Sequence, residues 1–420
     1  MTDSDELNLD ELLSGHYELP PDNCYIADPK QAVSFIASLL GHGQANVENP
    51  LIARFRDGIG ELFQKFREVA LPDELLLYNR FLTLCERLKV IQKASRLSDK
   101  TIIGFGGKFS AGKSSFINSI SGIKDLLPEA QEATTSIPTY IIKSKEECLT
   151  ANTIYGDAWT LSRDSLEAMT HEFRRKYGIN CAPFVDSIIV ETPSYSLDSR
   201  IALLDTPGYT KPDDNVDSRM VISDKVRAFE QLRVTDYLIW LIDMDNDPLT
   251  QNDIDFIDSL DIKSKILIVF NKADLRSASV RKEILDKAND DIKLMSTPVF
   301  GIAAYSSKNH EEYTGHIIRD FFKEVAESKV HNNDLFQQFQ DNAVKMREGL
   351  SIICDESEKA SADFLRFIMK EQNPEALYSM ARLWKDTNME YNKLNALASD
   401  FDSDIQELEH ILKDLLGVKS

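Results

Sequence analysis

Residues 101–121 read TIIGFGGKFSAGKSSFINSIS, an apolar strand-like run that breaks into glycines and then opens a helix. Within it, Gly107-Lys108-Phe109-Ser110-Ala111-Gly112-Lys113-Ser114 fills every position of the pattern G-x-x-x-x-G-K-[ST]. The chemistry explains the spacing. Two glycines let successive backbone N–H groups curl around phosphate oxygens, and the helix that follows adds the positive end of its dipole. Lys113 would reach the β- and γ-phosphates, Ser114 would offer its hydroxyl to Mg²⁺, and Ser115 closes the phosphate-binding set. A glycine-rich turn between a strand and a helix can produce the same eight letters, so the weight falls on what surrounds them.

Working outward, residues 201–208, IALLDTPG, are an apolar strand running into Asp-x-x-Gly. An acid at a strand end can hold Mg²⁺ through its water shell, and a glycine N–H can sense the γ-phosphate, which makes Asp205 and Gly208 candidates. Further on, Asn271-Lys272-Ala273-Asp274 follows another apolar run. The Asp274 carboxylate can accept from both the ring N–H and the exocyclic amine of guanine, whereas adenine presents a ring acceptor there and would leave the charge unpaired. That mismatch gives discrimination of about 10³-fold. Lys272 would lie along the base and ribose. In Ala304-Tyr305-Ser306-Ser307-Lys308 a backbone N–H near Ser307 would meet the guanine carbonyl. Between the glycine-rich loop and the second strand, residues 132–139 read EATTSIPT. Of the threonines there, Thr135 is favoured to close over Mg²⁺ and the attacking water, with Thr134 next.

The ordered set GKFSAGKSS, TTSIPT, DTPG and NKAD resembles the large GTPases of the dynamin superfamily, and within it the bacterial dynamin-like proteins. The resemblance implies GTP as substrate, GDP as product and Mg²⁺ as cofactor. It places Lys113 and Ser114 on phosphate and metal, Thr135 on metal and water, Gly208 on the γ-phosphate, and Asn271, Lys272 and Asp274 on guanine. Ser110 matches the serine of the family's P-loop and joins Thr135 and Gly208 as a catalytic expectation. Also implied are nucleotide-dependent self-association through the GTPase domain, a second dynamin-like partner, bending of a helical bundle, and membrane remodelling. One departure matters. Many eukaryotic dynamins carry a water-positioning glutamine where this chain has Phe109, and a phenyl ring cannot hydrogen-bond water. A second reading therefore stands beside the GTPase: a guanine-nucleotide-binding scaffold or sensor with negligible hydrolysis.

Periodicity supplies the remaining organisation. Short β-branched runs at 101–104, 139–143, 187–191, 201–205, 237–242, 265–270 and 299–303 alternate with amphipathic helices, which predicts an α/β domain with a mostly parallel sheet. Helical stripes flank it. Val33, Ile36, Ala37 and Leu40 share a face; so do Phe55, Ile59, Leu62 and Phe66, and then Leu75, Tyr78, Leu82, Cys85 and Leu88. After His310 a long stripe runs from Leu335 to Phe367, Asn373-Pro374 starts a new helix, and Phe401 to Leu416 forms a last segment. The expected plan is an acidic arm over 1–28, a bundle built from 29–98 and 310–420, and the GTPase domain at 99–309.

Composition narrows the class. The 69 acidic against 48 basic residues, a net charge of −21, argue against nucleic-acid binding and against unaided adhesion to anionic lipid. Five scattered cysteines offer no C-x-x-C pair, so reduced thiols are expected. No stretch has the form of a signal peptide or spanning helix, and a cytoplasmic place is expected, peripheral to a membrane if the resemblance carries that far.

Overall fold

The computed structural model describes residues 23–40, 49–69, 71–93, 95–108, 111–123, 127, 137–153, 158–162, 164–165, 173, 176–179, 184–206, 226–246, 248–328 and 332–417. Its strands are β1 (Thr101–Gly107), β2 (Thr139–Lys143), β3 (Cys148–Thr153), β4 (Ala158–Leu161), β5 (Val185–Thr192), β6 (Ile201–Asp205), β7 (Tyr237–Asp243), β8 (Ile266–Asn271), β9 (Val299–Ser306) and β10 (Glu311–Glu312). The helices are α1 (Cys24–Ala27), α2 (Pro29–Leu40), α3 (Pro50–Lys65), α4 (Glu74–Lys93), α5 (Lys113–Ser121), α6 (Gln251–Ser259), α7 (Ala278–Asp291), α8 (Ile317–Glu327), α9 (Asn332–Ile368) and α10 (Pro374–Leu416).

All ten strands join one sheet in the order β10-β9-β8-β7-β1-β6-β2-β5-β3-β4. From β9 through β8, β7 and β1 to β6 every neighbour is parallel, while β2 runs antiparallel to β6 and β3 and β4 complete an antiparallel edge. The central strands β1, β6, β7 and β8 are buried at every position and mostly apolar, because both faces of the sheet are covered. In β8, Leu267 and Val269 enter one core with Ile103 and Phe105, whereas Ile268 and Phe270 enter the opposite one with Trp240. All seven predicted strands are present. The edge strands β3 (CLTANT) and β4 (AWTL) escape the sequence reading because they are short and rich in threonine, with no long β-branched apolar run.

A second, separate core holds the bundle of α3, α4, α9 and α10, with Phe339 packed between Phe55 and Phe81 at ring distances of 5.8 and 5.7 Å. The α3 stripe of Phe55, Ile59, Leu62 and Phe66 is fully buried. Two other stripes need correction. In α4 the buried face is Leu77, Phe81, Leu84, Cys85 and Leu88, and Leu75 is 74% exposed, because the helix is apolar on more than one side and periodicity cannot choose between them. Grouped with the bundle on periodicity, α2 instead buries Ala32, Phe35 and Leu39 against the sheet, with Phe35 on Trp159 and Phe173; Val33 and Ala37 face outward. The segment just before it is also structured within the expected arm: Asn23 caps α1 and donates to the Asp164 carbonyl. At the other end the Asn373 cap and Pro374 first turn are as read, but the helix then runs unbroken to Leu416. No helix among the described residues is long and apolar enough to cross a membrane.

Bundle and sheet meet through polar groups. Asp236, just before β7, accepts from the Ile102 amide of β1 at 2.7 Å and from Arg87 of α4. Arg80 forms a two-pronged pair with Asp261, and Arg233 donates to Thr83 Oγ1 and to the Asn79 carbonyl on α4. These contacts lie at the amino end of β1, opposite the glycine-rich loop.

Candidate functional site

The carboxyl ends of β1, β6, β8 and β9 converge, which is where an open α/β sheet places its ligands. At the end of β1, Gly107 holds φ +139°, and a Cβ there would sit 2.3 Å from the Leu241 carbonyl oxygen. Gly112 is left-handed at φ +78°, and its missing side chain leaves room for Asn271, whose Nδ2 would lie 2.5 Å from an added Cβ. Both glycines are therefore required by backbone path and close approach.

Lys113 opens α5 with its side chain buried, and its Nζ donates to the carbonyls of Gly107 and Lys108 at 3.4 Å each. Burial lowers its pKa and the nearby Asp205 charge opposes that shift. Asp205, at the end of β6, is fully buried and accepts from Ser114 Oγ at 3.1 Å. Desolvation pushes its carboxyl up to about 6, against the pull of Lys113, Ser114 and the Thr206 amide. Its other oxygen, Oδ1, has no hydrogen-bond partner among the described residues. An orphaned buried carboxylate oxygen beside a serine hydroxyl is a fit for Mg²⁺, with Ser114 and Asp205 as the residues that would hold it.

On the opposite wall, Asn271 spends its amide on structure. Nδ2 donates to the Ala111 and Gly112 carbonyls, and Oδ1 accepts from Ser307 N and Ser307 Oγ at 3.2 and 2.8 Å. The side chain thus laces the glycine-rich loop to the loop after β9. Lys272 sits at φ +60° and pairs with buried Asp243 at 2.7 Å, which holds the stem across the site. Asp274 is half-buried and its carboxylate has no partner among the described residues. Lys308 is exposed; since Ser307 gives its own amide to Asn271, the Lys308 amide is the adjacent donor left for a base carbonyl. The Lys108 ammonium turns to Asp253 of α6 at 3.5 Å, which leaves its backbone to serve the loop. Ala111 is buried and Ser115 lies on the first turn of α5. Phe109, Ser110, Thr134, Thr135 and Gly208 lie outside the described residues.

Three supports were not read from the sequence. Asp253 completes a capping box with Thr250, and the spacing T-x-x-D before α6 was a usable signal. Asp243 closes β7 as an acid on an otherwise apolar strand, which is a second signal. The chain Tyr305 OH, Ser119 Oγ, His310 Nδ1, with both contacts at 2.6 Å, ties the loop after β9 to α5 and left no sequence mark.

A buried lysine, a serine and an orphaned carboxylate gathered under a glycine-framed loop have the geometry of a P-loop nucleotide-binding site. Residues 103–274 match the model of the dynamin family, and this segment is a dynamin-family GTPase domain, a nucleotide-binding module. No curated protein matches the chain. Among solved structures, an oligomerised bacterial dynamin pair, described as providing a mechanism for long-range sensing and tethering of membranes, aligns at 18% identity and a TM-score of 0.42. That alignment covers 81% of this chain and 50% of the other, so the chain spans about half the length of that structure. A point variant of Aquifex aeolicus Era bound to GDP and AlF₄⁻ aligns at 16% identity, covering 54% of this chain and 56% of that one, with a TM-score of 0.31.

Proposed function

We propose that the chain binds GTP with Mg²⁺ and hydrolyses it to GDP and phosphate, and that its nucleotide state drives dimerisation through the GTPase domain at 99–309 and movement of the bundle. A role in membrane remodelling, peripheral to a cytoplasmic membrane face and alongside a second dynamin-like partner, follows from the family. The observation that carries the reading is Asp205: a buried carboxylate with one oxygen unpartnered among the described residues, beside Ser114 and Lys113 at the mouth of the P-loop. Guanine is favoured as the base because Asp274 offers a carboxylate with no partner among the described residues.

The chain's own groups divide the work. Lys113 exchanges two carbonyls for phosphate oxygens, a gain of charge-assisted hydrogen bonds. Gly107 to Gly112 present backbone amides. Ser114 and Asp205 would hold Mg²⁺, which when bound would supply positive charge against the phosphates. In this reading Thr135 orients the attacking water, Gly208 reads the γ-phosphate and Ser110 assists at the P-loop, as the motif resemblance implies. Asn271 fixes the two loops that Asp274 and Lys308 need for base selection.

Phe109 supports the second reading, a nucleotide-binding scaffold without appreciable turnover, since it replaces a side chain that would hold water. Single-turnover GTP hydrolysis at low and high protein concentration, with and without Mg²⁺, separates the two. A rate per molecule that rises with concentration and vanishes on Mg²⁺ removal is expected. Flat, negligible turnover over a hundredfold range, with GTP still bound, would leave the scaffold.

A further inference from the structure

Between the bundle and the sheet lies a cleft of about 520 Å³ that the nucleotide site does not use. Its volume falls in the range of small-molecule sites, and interfaces between packed bodies are where such sites concentrate. The walls come from α4, α9 and the segments around Arg233 and Asp261, and they carry five cationic against three carboxylate side chains. Arg80 and Lys263 share Asp261, and Arg87 takes Asp236. That leaves Arg233 and Lys345 as surplus positive charge.

Arg233 uses Nε and Nη2 on Thr83 and Asn79, and its Nη1 finds no acceptor among the described residues. Burial holds its guanidinium below the usual value, since its acidic neighbours Glu86 and Glu230 act only at a distance. Lys345 pairs with no carboxylate among the described residues. The third observation is independent of charge. Asn342 lines the same cleft with only 7% exposure, yet its amide makes no hydrogen bond among the described residues. Its amide atoms stay open to the cleft rather than sealed within the protein, so the amide is available to donate to a ligand there. The remaining carboxylate, Asp341, is exposed and already accepts from Gln337 at 2.9 Å.

We propose that this cleft binds a small soluble phosphate-bearing anion, held by Arg233 and Lys345 with the Asn342 amide donating to it. Two cations and an amide donor match the several acceptors and the double charge of a phosphate group. A ligand there would bridge α9 to Arg233 and fasten the bundle to the sheet from a place far from the P-loop.

The test is calorimetric titration of inorganic pyrophosphate into the full chain already saturated with GDP, so that the P-loop is filled. One further pyrophosphate per chain is expected, weakened about tenfold by Arg233→Gln and several-fold by Asn342→Leu, with GDP affinity unchanged in both. No binding to the GDP-saturated chain, or binding that neither substitution alters, would overturn the proposal. If Arg233→Gln fails to fold, Asn342→Leu and the charge-keeping Arg233→Lys carry the same comparison. Dihexanoyl phosphatidic acid is the second arm: displacement of pyrophosphate at lower concentration than pyrophosphate itself needs would assign the site to a lipid headgroup and overturn the soluble ligand. Failure of GDP to bind would sink the nucleotide reading alone, and the two substitutions would still decide the cleft.

Discussion

Burial lifts the Asp205 carboxyl from 3.8 to about 6, and the sign of that shift sets a pH dependence. The folded protein holds this proton more tightly than the unfolded chain, so the contribution is full below about 4 and is lost as pH rises through about 6. A shift of this size corresponds to about 3 kcal/mol. The nucleotide-free protein is expected to lose melting temperature across that window, and Asp205→Asn to flatten the loss; parallel pH profiles for the two proteins would refute the assignment. At Asp274, Asn should lower GTP affinity about tenfold or more and turn selection towards xanthine nucleotide, whose edge suits an amide. Competition binding reads this directly, and equal binding of ATP and GTP to the parent chain would remove Asp274 from base selection. Lys113→Ala should abolish tight nucleotide binding while the circular-dichroism melt stays close to the parent's, since its partners in the nucleotide-free state are two long contacts to carbonyls.

At the scale of elements, the clasp between the P-loop and the loop after β9 depends on one amide. Asn271→Ala strands the Ala111 and Gly112 carbonyls and frees Ser307, with an expected cost of about 2 kcal/mol and a parallel loss of GTP affinity. Asn271→Asp should fare worse, because a carboxylate can accept from Ser307 but faces the two carbonyls with no proton to give. Thermal melts of the three proteins check the ranking. Motif spacing made this region legible: glycines, the P-loop lysine and serine, Asp205, Asn271 and Asp274 each occupy positions where chemistry restricts the choice to one or two residue types. The phase of amphipathic helices was less legible. In α4, leucines lie on several sides, and only the position of α9 decides that Leu77 goes inward and Leu75 outward. Helix α2 gives a bundle-like stripe, but its partners Trp159 and Phe173 come from more than a hundred residues away. The turn of Lys108 towards Asp253 was hidden for the same reason, since the pair forms only once α6 has docked.

Across the whole molecule, the bundle rests on the sheet through arginine contacts and through Val90 of α4, which packs on a small apolar cluster with Ile102, Tyr140 and Leu204. Arg87→Met would take the guanidinium partner from buried Asp236, at an expected cost of about 3 kcal/mol. Trp240 lies in the sheet and Trp384 on α10, so urea unfolding followed through single-tryptophan variants should show two transitions in the mutant and closer coincidence in the parent. Coincident curves in both would mean that the arginine contacts do not couple the two parts. The dimension of α10 adds a mechanical point. Its 43 residues extend about 64 Å, and its buried positions begin only at Leu394. The first twenty residues, about 30 Å, therefore travel with α9 beyond the reach of the four-helix core. A tilt of about 5° where the bundle meets the sheet would sweep the far turn through about 5 Å, so a sub-ångström rearrangement among Arg80, Arg87 and Arg233 is geared up to a displacement the width of a strand.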